Sequence, residues 1–166
     1  KRLMKSANKD DIVEPTDKSF ISDVNLYNIQ AKIIKELAKQ QSCIIIGKCA
    51  NHLLRDYDNT VSVYIEAPRA FCVKNVIERL GVTEEEAHRM IYQTDRYRAD
   101  YYKYYTGGET WTNPVLYDMT LNSDRMGMDK CTELIIQYLK IKLGEDILGK
   151  KGTAENDKAL KQLGLF

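Results

Sequence analysis

Apolar side chains recur every three or four positions in the first clear element of the chain. This spacing predicts an amphipathic helix over about 25–40, with Ser22 as a candidate amino-terminal cap. Residues 1–24 precede it without a sustained period, and we expect them to form a polar arm or the remnant of an N-terminal region. The apolar members of the helix are Leu26, Ile29, Ile33, Ile34 and Leu37.

Three short apolar runs have the pattern of strands. Residues 43–47 are a continuous, isoleucine-rich run that ends in glycine, which is typical of a strand buried on both faces. Apolar residues alternate over 61–65, before Ala67-Pro68, and again over 117–121, so both segments predict further strands. A strand buried on both faces indicates a parallel sheet with helices on each side.

Four more helices are predicted from caps and periodic apolar positions. Pro68 starts one and Gly81 ends it, and Thr83 with Glu86 forms the capping box of the next. Helices that alternate with strands predict an α/β fold with a parallel sheet. The four helices cover about 50–56, 68–80, 83–105 and 129–143.

Composition limits the kind of protein. A length of 166 residues suits one domain, and 43% apolar with 30% charged residues indicates a globular chain. A net charge of +1 argues against a dedicated DNA-binding protein. No apolar run approaches the roughly 20 residues that span a bilayer. Four scattered cysteines without a CxxC pair predict reduced thiols in a cytoplasmic protein.

Polar residues follow each predicted strand, at the edge where open α/β sheets bind ligands. The three segments are 47–51, 66–69 and 122–125. Lys48 and Arg125 can both meet an anionic ligand there. The alternative interpretation is that they are solvated loop residues.

The segment 94–106 concentrates aromatic and basic side chains. Six of the eleven tyrosines lie within 92–105, interleaved with Arg96, Arg98 and Lys103. Arginine binds phosphate oxygens bidentately, so bases on a mobile helix predict a lid that closes over phosphates. Two alternatives stay open: a solvated helix face with local ion pairs, and a surface for single-stranded nucleic acid, which the low net charge disfavours.

Other candidates for chemistry are few. His52 and His88 are isolated, and no set of His, Cys and Asp has the spacing of metal ligands, so we predict no metal site. We interpret His52 as a helix-surface or hinge residue. Trp111 is interpreted as packing its loop against the core.

Four stretches of the chain resemble the cytidylate kinase-like family, a branch of the P-loop nucleoside monophosphate kinases. The combination of Asp-x-x-Arg-x-x-Tyr-Tyr from Asp95 with Tyr-Asp-x-x-Leu-Asn-Ser from Tyr117 is more specific than either run alone. The resemblance covers about residues 25–142. Its four stretches are 43–55 (CIIIGKCANHLLR), 61–68 (VSVYIEAP), 94–107 (TDRYRADYYKYYTG) and 117–123 (YDMTLNS).

This resemblance implies a fold and a reaction. The implied fold is a three-layer α/β/α P-loop kinase-like arrangement with a five-stranded parallel sheet. Its core would cover 25–144, with a lid at about 82–112, followed by a charged tail at 145–166. The implied reaction transfers a phosphoryl group from ATP, with Mg²⁺, to a nucleoside monophosphate such as CMP. The implied partners are small-molecule nucleotides, without nucleic acid or membrane, and homo-oligomerisation is left open.

The resemblance also implies roles for three groups of residues. The catalytic group in the lid consists of Asp95, Arg96 and Arg98. The substrate-binding group consists of Gly47, Lys48, Tyr101, Tyr102 and Lys103. The nucleotide-binding group, near the base of ATP, consists of Asn122, Ser123 and Arg125.

The chain departs from the family pattern at three places. Lys48 stands where the family usually has arginine, and Cys49 where typical cytidylate kinases have aspartate. The P-loop pattern GxxxxGK[ST] and the family's Gly-Ser-Gly-Gly variant are both absent from the 166 residues. Because the chain begins at Lys1 rather than Met, we expect this loop either to precede Lys1 or to have been lost. A non-catalytic nucleotide-binding relative and an α/β interaction domain therefore stand beside the kinase as hypotheses.

Overall fold

The computed structural model describes residues 12, 15–16 and 21–148. Helices dominate this part of the chain, and two short 3₁₀ turns lie at Pro114–Leu116 and Glu145–Leu148. The regular elements in chain order are α1 (Asp23–Gln40), α2 (Ala50–Leu53), β1 (Val63–Glu66), α3 (Arg69–Leu80), α4 (Glu84–Tyr105), β2 (Met119–Asn122), α5 (Ser123–Met126) and α6 (Met128–Leu143).

The two strands pair in parallel. Their register runs from Val63 opposite Met119 to Glu66 opposite Asn122, so both carboxyl ends lie at the same edge. Helices α3 and α4 form the connection between the strands, as a parallel pair requires. This confirms the predicted α/β class with a parallel sheet.

The predicted strand at 43–47 is wrong for the described structure. Residues 42–46 have no regular secondary structure, and Ile44 and Ile46 are 95% and 90% exposed. A strand needs a neighbour for its backbone hydrogen bonds, and in the described residues β1 and β2 pair only with each other. Ile45 alone of the three isoleucines packs inward, against the cluster of Ile34, Ala50 and Leu54.

The helix caps largely follow the sequence. Ser22 caps α1, and Thr83 with Glu86 forms the predicted capping box of α4. Gly81 ends α3 at φ 65°, a left-handed conformation that glycine adopts without a Cβ clash. Two details differ: Pro68 is the residue before α3 rather than its first, and α6 begins at Met128, one residue before the predicted start at 129.

Two small clusters form the buried core between α1, α2 and α4. One contains Tyr27, Cys49 and Tyr102, and the other is the cluster around Ile34. Tyr102 belongs to α4, which lies in the predicted lid and is called the lid helix. The carboxyl-terminal half of the lid helix is therefore part of the core.

Parts of the predicted domain plan lie outside the described residues. Most of the arm at 1–24 and all of 149–166 are outside them, so the division into arm, core and tail stays a prediction. Within the described residues, no helix combines the length and the apolar character needed to cross a membrane.

Candidate functional site

The carboxyl edge of the sheet is held together by side chains of the β2–α5 turn. The hydroxyl of Ser123 donates to the Glu66 carbonyl at 3.1 Å and so ties the two strand ends together. The carboxamide oxygen of Asn122 accepts from the backbone N–H of Asp124 and of Arg125, both at 3.1 Å. Asn122 and Ser123 therefore have local structural contacts, while Arg125 is exposed at this edge. Their predicted contacts with nucleotide stay predictions.

One face of the lid helix carries three of the predicted site residues. Asp95, Arg98 and Tyr102 are spaced by three and four positions and so lie on the same face. Asp95 Oδ1 is 3.9 Å from Arg98 Nη1. Arg96 is two residues from Arg98 and points to a different face, where it pairs with Asp100 at 3.9 Å. The structure thus brings Asp95 and Arg98 together and separates Arg96 from them.

A left-handed turn precedes α2. Gly47, Lys48 and Cys49 have φ values of 71°, 56° and 55°, and Ala50 N–H donates to the Gly47 carbonyl at 3.0 Å. Left-handed backbone costs a residue with a Cβ about 1–2 kcal/mol. The buried Cys49 side chain, packed with Tyr102, holds the turn in place and leaves Lys48 exposed.

This packing relates Lys48 to Arg98. Lys48 adjoins Cys49, which packs with Tyr102 of the lid helix. Asn51 of α2 also donates to the Tyr102 hydroxyl, at 2.9 Å. Arg98 lies four residues before Tyr102 on the same face, a rise of about 6 Å along the helix. Arg98 therefore lies on the face of α4 that packs against the turn containing Lys48.

Charged side chains of the lid helix affect the pKa of Tyr64 in β1. Burial raises the pKa of Tyr64, the carboxylates of Glu66 and Asp95 raise it further, and the Arg98 guanidinium partly offsets them. Solvent screens the interaction between charges that lie far apart, so the charges that shift a pKa lie at short distances from the titrating group. Asp95 and Arg98 of the lid helix therefore act electrostatically on Tyr64 of β1.

Most of the lid tyrosines pack with one another. Tyr27 of α1 stacks on Tyr105 at 3.8 Å between ring centroids, and Tyr101 lies 4.7 Å from Tyr105. Burial raises the pKa of Tyr101, whose buried hydroxyl has no hydrogen-bond partner among the described residues. Packing thus accounts for Tyr101 and Tyr102, and their predicted substrate contact stays a prediction. Lys103 is exposed, and its role stays a prediction as well.

A cluster of charged side chains that sequence reasoning missed joins α2 to the loop after the lid helix. His52 Nδ1 lies 3.0 Å from Glu109 Oε2, and Arg55 Nη1 lies 3.3 Å from Glu109 Oε1. Arg55 Nη2 also contacts the His52 ring. The hydrogen bond to His52 lowers the pKa of Glu109, burial opposes this, and Arg55 lowers it again. More than fifty residues separate Glu109 from its partners, so no local signal predicts the cluster.

Arg69 is a second feature of the site that no sequence motif identified. It stood in a predicted strand-end segment, yet no motif marked it as a site residue. Its guanidinium pairs with Asp95 of the lid helix at 3.6 Å. Asp95 therefore pairs with two cations, Arg69 and Arg98.

These residues fit a phosphate ligand better than a metal held by side chains. The exposed side chains of Lys48 and Arg98 are cationic donors of the kind that binds phosphate oxygens. Within the described part of the chain, no group of three or more His, Cys, Asp and Glu side chains could hold a metal ion.

Comparison with known proteins identifies the family of the chain. Residues 1–125 match the sequence profile of the cytidylate kinase-like family. The solved structure of an uncharacterized protein from Eubacterium ventriosum is similar, with a TM-score of 0.58 and 28% identity over 72% of this chain. The match covers 66% of that protein, slightly less than two thirds of its length. No curated protein matches the chain. The chain belongs to the cytidylate kinase-like family.

Proposed function

We propose that the protein is a nucleoside monophosphate kinase, which transfers a phosphoryl group from ATP to a ribo- or deoxyribonucleoside monophosphate such as CMP. Family membership supports a kinase-like, nucleotide-binding role. The observation that carries the proposal is that the turn containing Lys48 packs against the face of the lid helix that carries Arg98. Phosphoryl transfer depends mainly on positioning the phosphates and neutralising their charge, and two exposed cations suit that task.

The chain's own residues divide this task. The Arg98 guanidinium offers a planar pair of donors to the oxygens of the phosphoryl group in transfer. Lys48, a point charge, holds the monophosphate on the left-handed turn. Asp95 orients Arg98 through their ion pair.

The phosphoryl group is transferred directly, without a covalent intermediate on the enzyme. A phosphate oxygen of the monophosphate attacks the γ-phosphorus of ATP, and the bond to the bridging oxygen of ADP breaks. The products are ADP and a nucleoside diphosphate. ATP and its Mg²⁺ are substrates here; the metal ion neutralises phosphate charge when it is bound.

The proposed enzyme also needs a glycine-rich phosphate-binding loop. The 166 residues contain none, and we propose that a segment outside them supplies it, within the three-layer α/β/α fold that the family resemblance implies. We propose a cytoplasmic location. It is supported by four free cysteines, including the exposed Cys43, which suit a reducing compartment.

The test is a coupled ADP-release assay on the protein encoded by the complete reading frame. ATP, Mg²⁺ and a panel of ribo- and deoxyribonucleoside monophosphates serve as substrates, and thermal-shift titrations with ATP and CMP are run in parallel. Turnover of at least one monophosphate supports the proposal. A folded protein that binds ATP or CMP but turns over no monophosphate is the non-catalytic relative instead. A protein that neither binds nor turns over nucleotide is the α/β interaction domain.

A further inference from the structure

Arg69 links the carboxyl end of β1 to the lid helix. It is the first residue of α3 and lies three residues after Glu66, the last residue of β1. Its Nη2 donates to the His88 carbonyl at 2.6 Å, and its Nη1 lies 3.6 Å from Asp95 Oδ2. Helix carbonyls point toward the carboxyl terminus, while side chains lean toward the amino terminus. Both acceptors therefore converge on the helical turn between His88 and Asp95, where one guanidinium reaches them.

Because of its position, this contact restrains the angle between α3 and α4. Gly81 and the following two residues join the helices at one end, and the buried Val73 and Ala87 lie between. Arg69 lies twelve residues from Gly81, and Asp95 twelve residues from Thr83. At the helical rise, Arg69 lies about 18 Å from Gly81, and its two acceptors on α4 lie about 8 and 18 Å from Thr83. Contacts at these distances restrain the angle between the helices more effectively than contacts at the joint.

The same contact ends beside the proposed phosphate-binding arginine. Asp95 offers Oδ2 to Arg69 and Oδ1 to Arg98, so the three side chains form a continuous chain of charge. A half-exposed ion pair alone contributes little, but Arg69 adds a short charge-assisted hydrogen bond to a backbone carbonyl.

We propose that Arg69 is a positioning residue: it holds the lid helix against the carboxyl end of β1 and thereby presents Arg98 to the phosphates. The contact with α4 stands on the geometry alone. The consequence for Arg98 rests on the proposed function.

Hydrogen–deuterium exchange of the chain without nucleotide tests the contact. Arg69→Met removes the guanidinium and keeps the length of the side chain, Arg69→Lys restores a charge, and Arg79→Met removes an exposed cation at the other end of α3. We expect Arg69→Met to speed exchange of the amides at 88–98 about three- to tenfold, as local opening of α4 becomes easier. Arg69→Lys should recover part of the protection, and Arg79→Met should resemble the parent.

Two results of the exchange experiment overturn the inference. One is unchanged exchange of α4 in Arg69→Met. The other is faster exchange that extends equally through α1 and α6, since this makes Arg69 a general stabiliser rather than a lid contact.

Steady-state kinetics of the complete protein tests the consequence. We expect Arg69→Met to lower kcat about tenfold, change the KM for monophosphate less than threefold, and be partly rescued by Arg69→Lys. An unchanged kcat together with faster lid exchange overturns the positioning role. If the parent protein has no turnover, the proposed function fails, and the exchange result still decides whether Arg69 holds the lid helix.

Discussion

Lys142 Nζ lies 2.8 Å from Oδ1 of Asp118, and this contact joins the last turns of α6 to the start of β2. The same carboxylate accepts from the backbone N–H and the hydroxyl of Ser62, at 2.7 and 2.9 Å, and from the Tyr138 hydroxyl at 3.1 Å. Lys142 also donates to the Thr60 carbonyl at 2.6 Å. Asp118 thus connects the segment before β1, the start of β2 and helix α6.

Replacing Asp118 with asparagine should destabilise the protein. Asparagine keeps the shape but cannot accept from all four donors, and it loses the attraction to Lys142. We expect Asp118→Asn to lower the free energy of unfolding at pH 7 by about 1–2 kcal/mol, a figure that allows for solvent screening. Urea unfolding measures the change. Asp58→Asn, an exposed acid in a turn, is the control and should differ from the parent by less than about 0.5 kcal/mol.

The stability that Asp118 contributes should depend on pH in a defined window. Burial opposes its ionisation, but the hydrogen bonds from Lys142, Ser62 and Tyr138 outweigh burial and lower its pKa from 3.8 to about 2. Because the folded pKa is depressed, the contribution is complete above the unfolded pKa and disappears as pH falls from 3.8 toward 2. Unfolding curves of parent and Asp118→Asn should therefore converge between about pH 4 and 2. A constant difference across this range would contradict the assignment.

The sequence predicted most helices because their signals are local. The capping box at Thr83 and Glu86, and the glycine after α3, act within one or two turns and need no distant partner. The run at 43–47 shows the limit of such signals. Its isoleucines are typical of a buried strand. A strand forms only when a second strand pairs with it, and a local run carries no information about such a partner.

The same distinction applies to the site. The family resemblance gave Arg96 and Arg98 the same catalytic role because both lie in the lid stretch, although only Arg98 is a fixed position of the Asp-x-x-Arg-x-x-Tyr-Tyr run. Only the helical geometry shows that they face different sides. Arg69 belonged to no motif, since its value lies in a contact with Asp95, twenty-six residues later in the chain.

The hydrogen bond between Asn51 and Tyr102 should stabilise the turn against the lid helix. Tyr102→Phe keeps the buried ring and removes the acceptor of the Asn51 amide. We expect a loss of about 1 kcal/mol in the free energy of unfolding, and a coupling energy of about 0.5–1.5 kcal/mol in a double-mutant cycle with Asn51→Ala. Tyr104→Phe, on the exposed side of α4, is the control. If Tyr102→Phe raises the KM for monophosphate without changing stability, its hydroxyl contacts substrate instead of holding the turn.

Lys48 should show a trade-off between stability and substrate binding. Glycine relieves the left-handed strain at φ 56°, offset in part by its flexibility in the unfolded chain. We therefore expect Lys48→Gly to gain about 0.5 kcal/mol and Lys48→Ala, which keeps the strain, to gain nothing. Both variants lose the ammonium, so both should raise the KM for monophosphate about tenfold or more. Equal stability of the two variants would show that the turn is unstrained, and an unchanged KM would remove Lys48 from the substrate site.

Arg98→Ala should impair turnover far more than folding. Its ion pair with Asp95 is exposed and spans 3.9 Å, so its loss should shift the melting temperature by less than about 3 °C. If the guanidinium neutralises charge on the phosphoryl group, kcat should fall at least about a hundredfold.

Arg89→Ala removes a comparable exposed pair on the same helix, with Glu86 at 4.0 Å, and controls for the loss of a surface charge. Arg96→Ala separates the two predicted catalytic arginines, and a smaller loss than in Arg98→Ala is expected because Arg96 faces away from Asp95. Equal losses in both would mean that the lid helix rotates on binding, whereas a large loss of stability in Arg98→Ala with normal kcat would make Arg98 a structural residue.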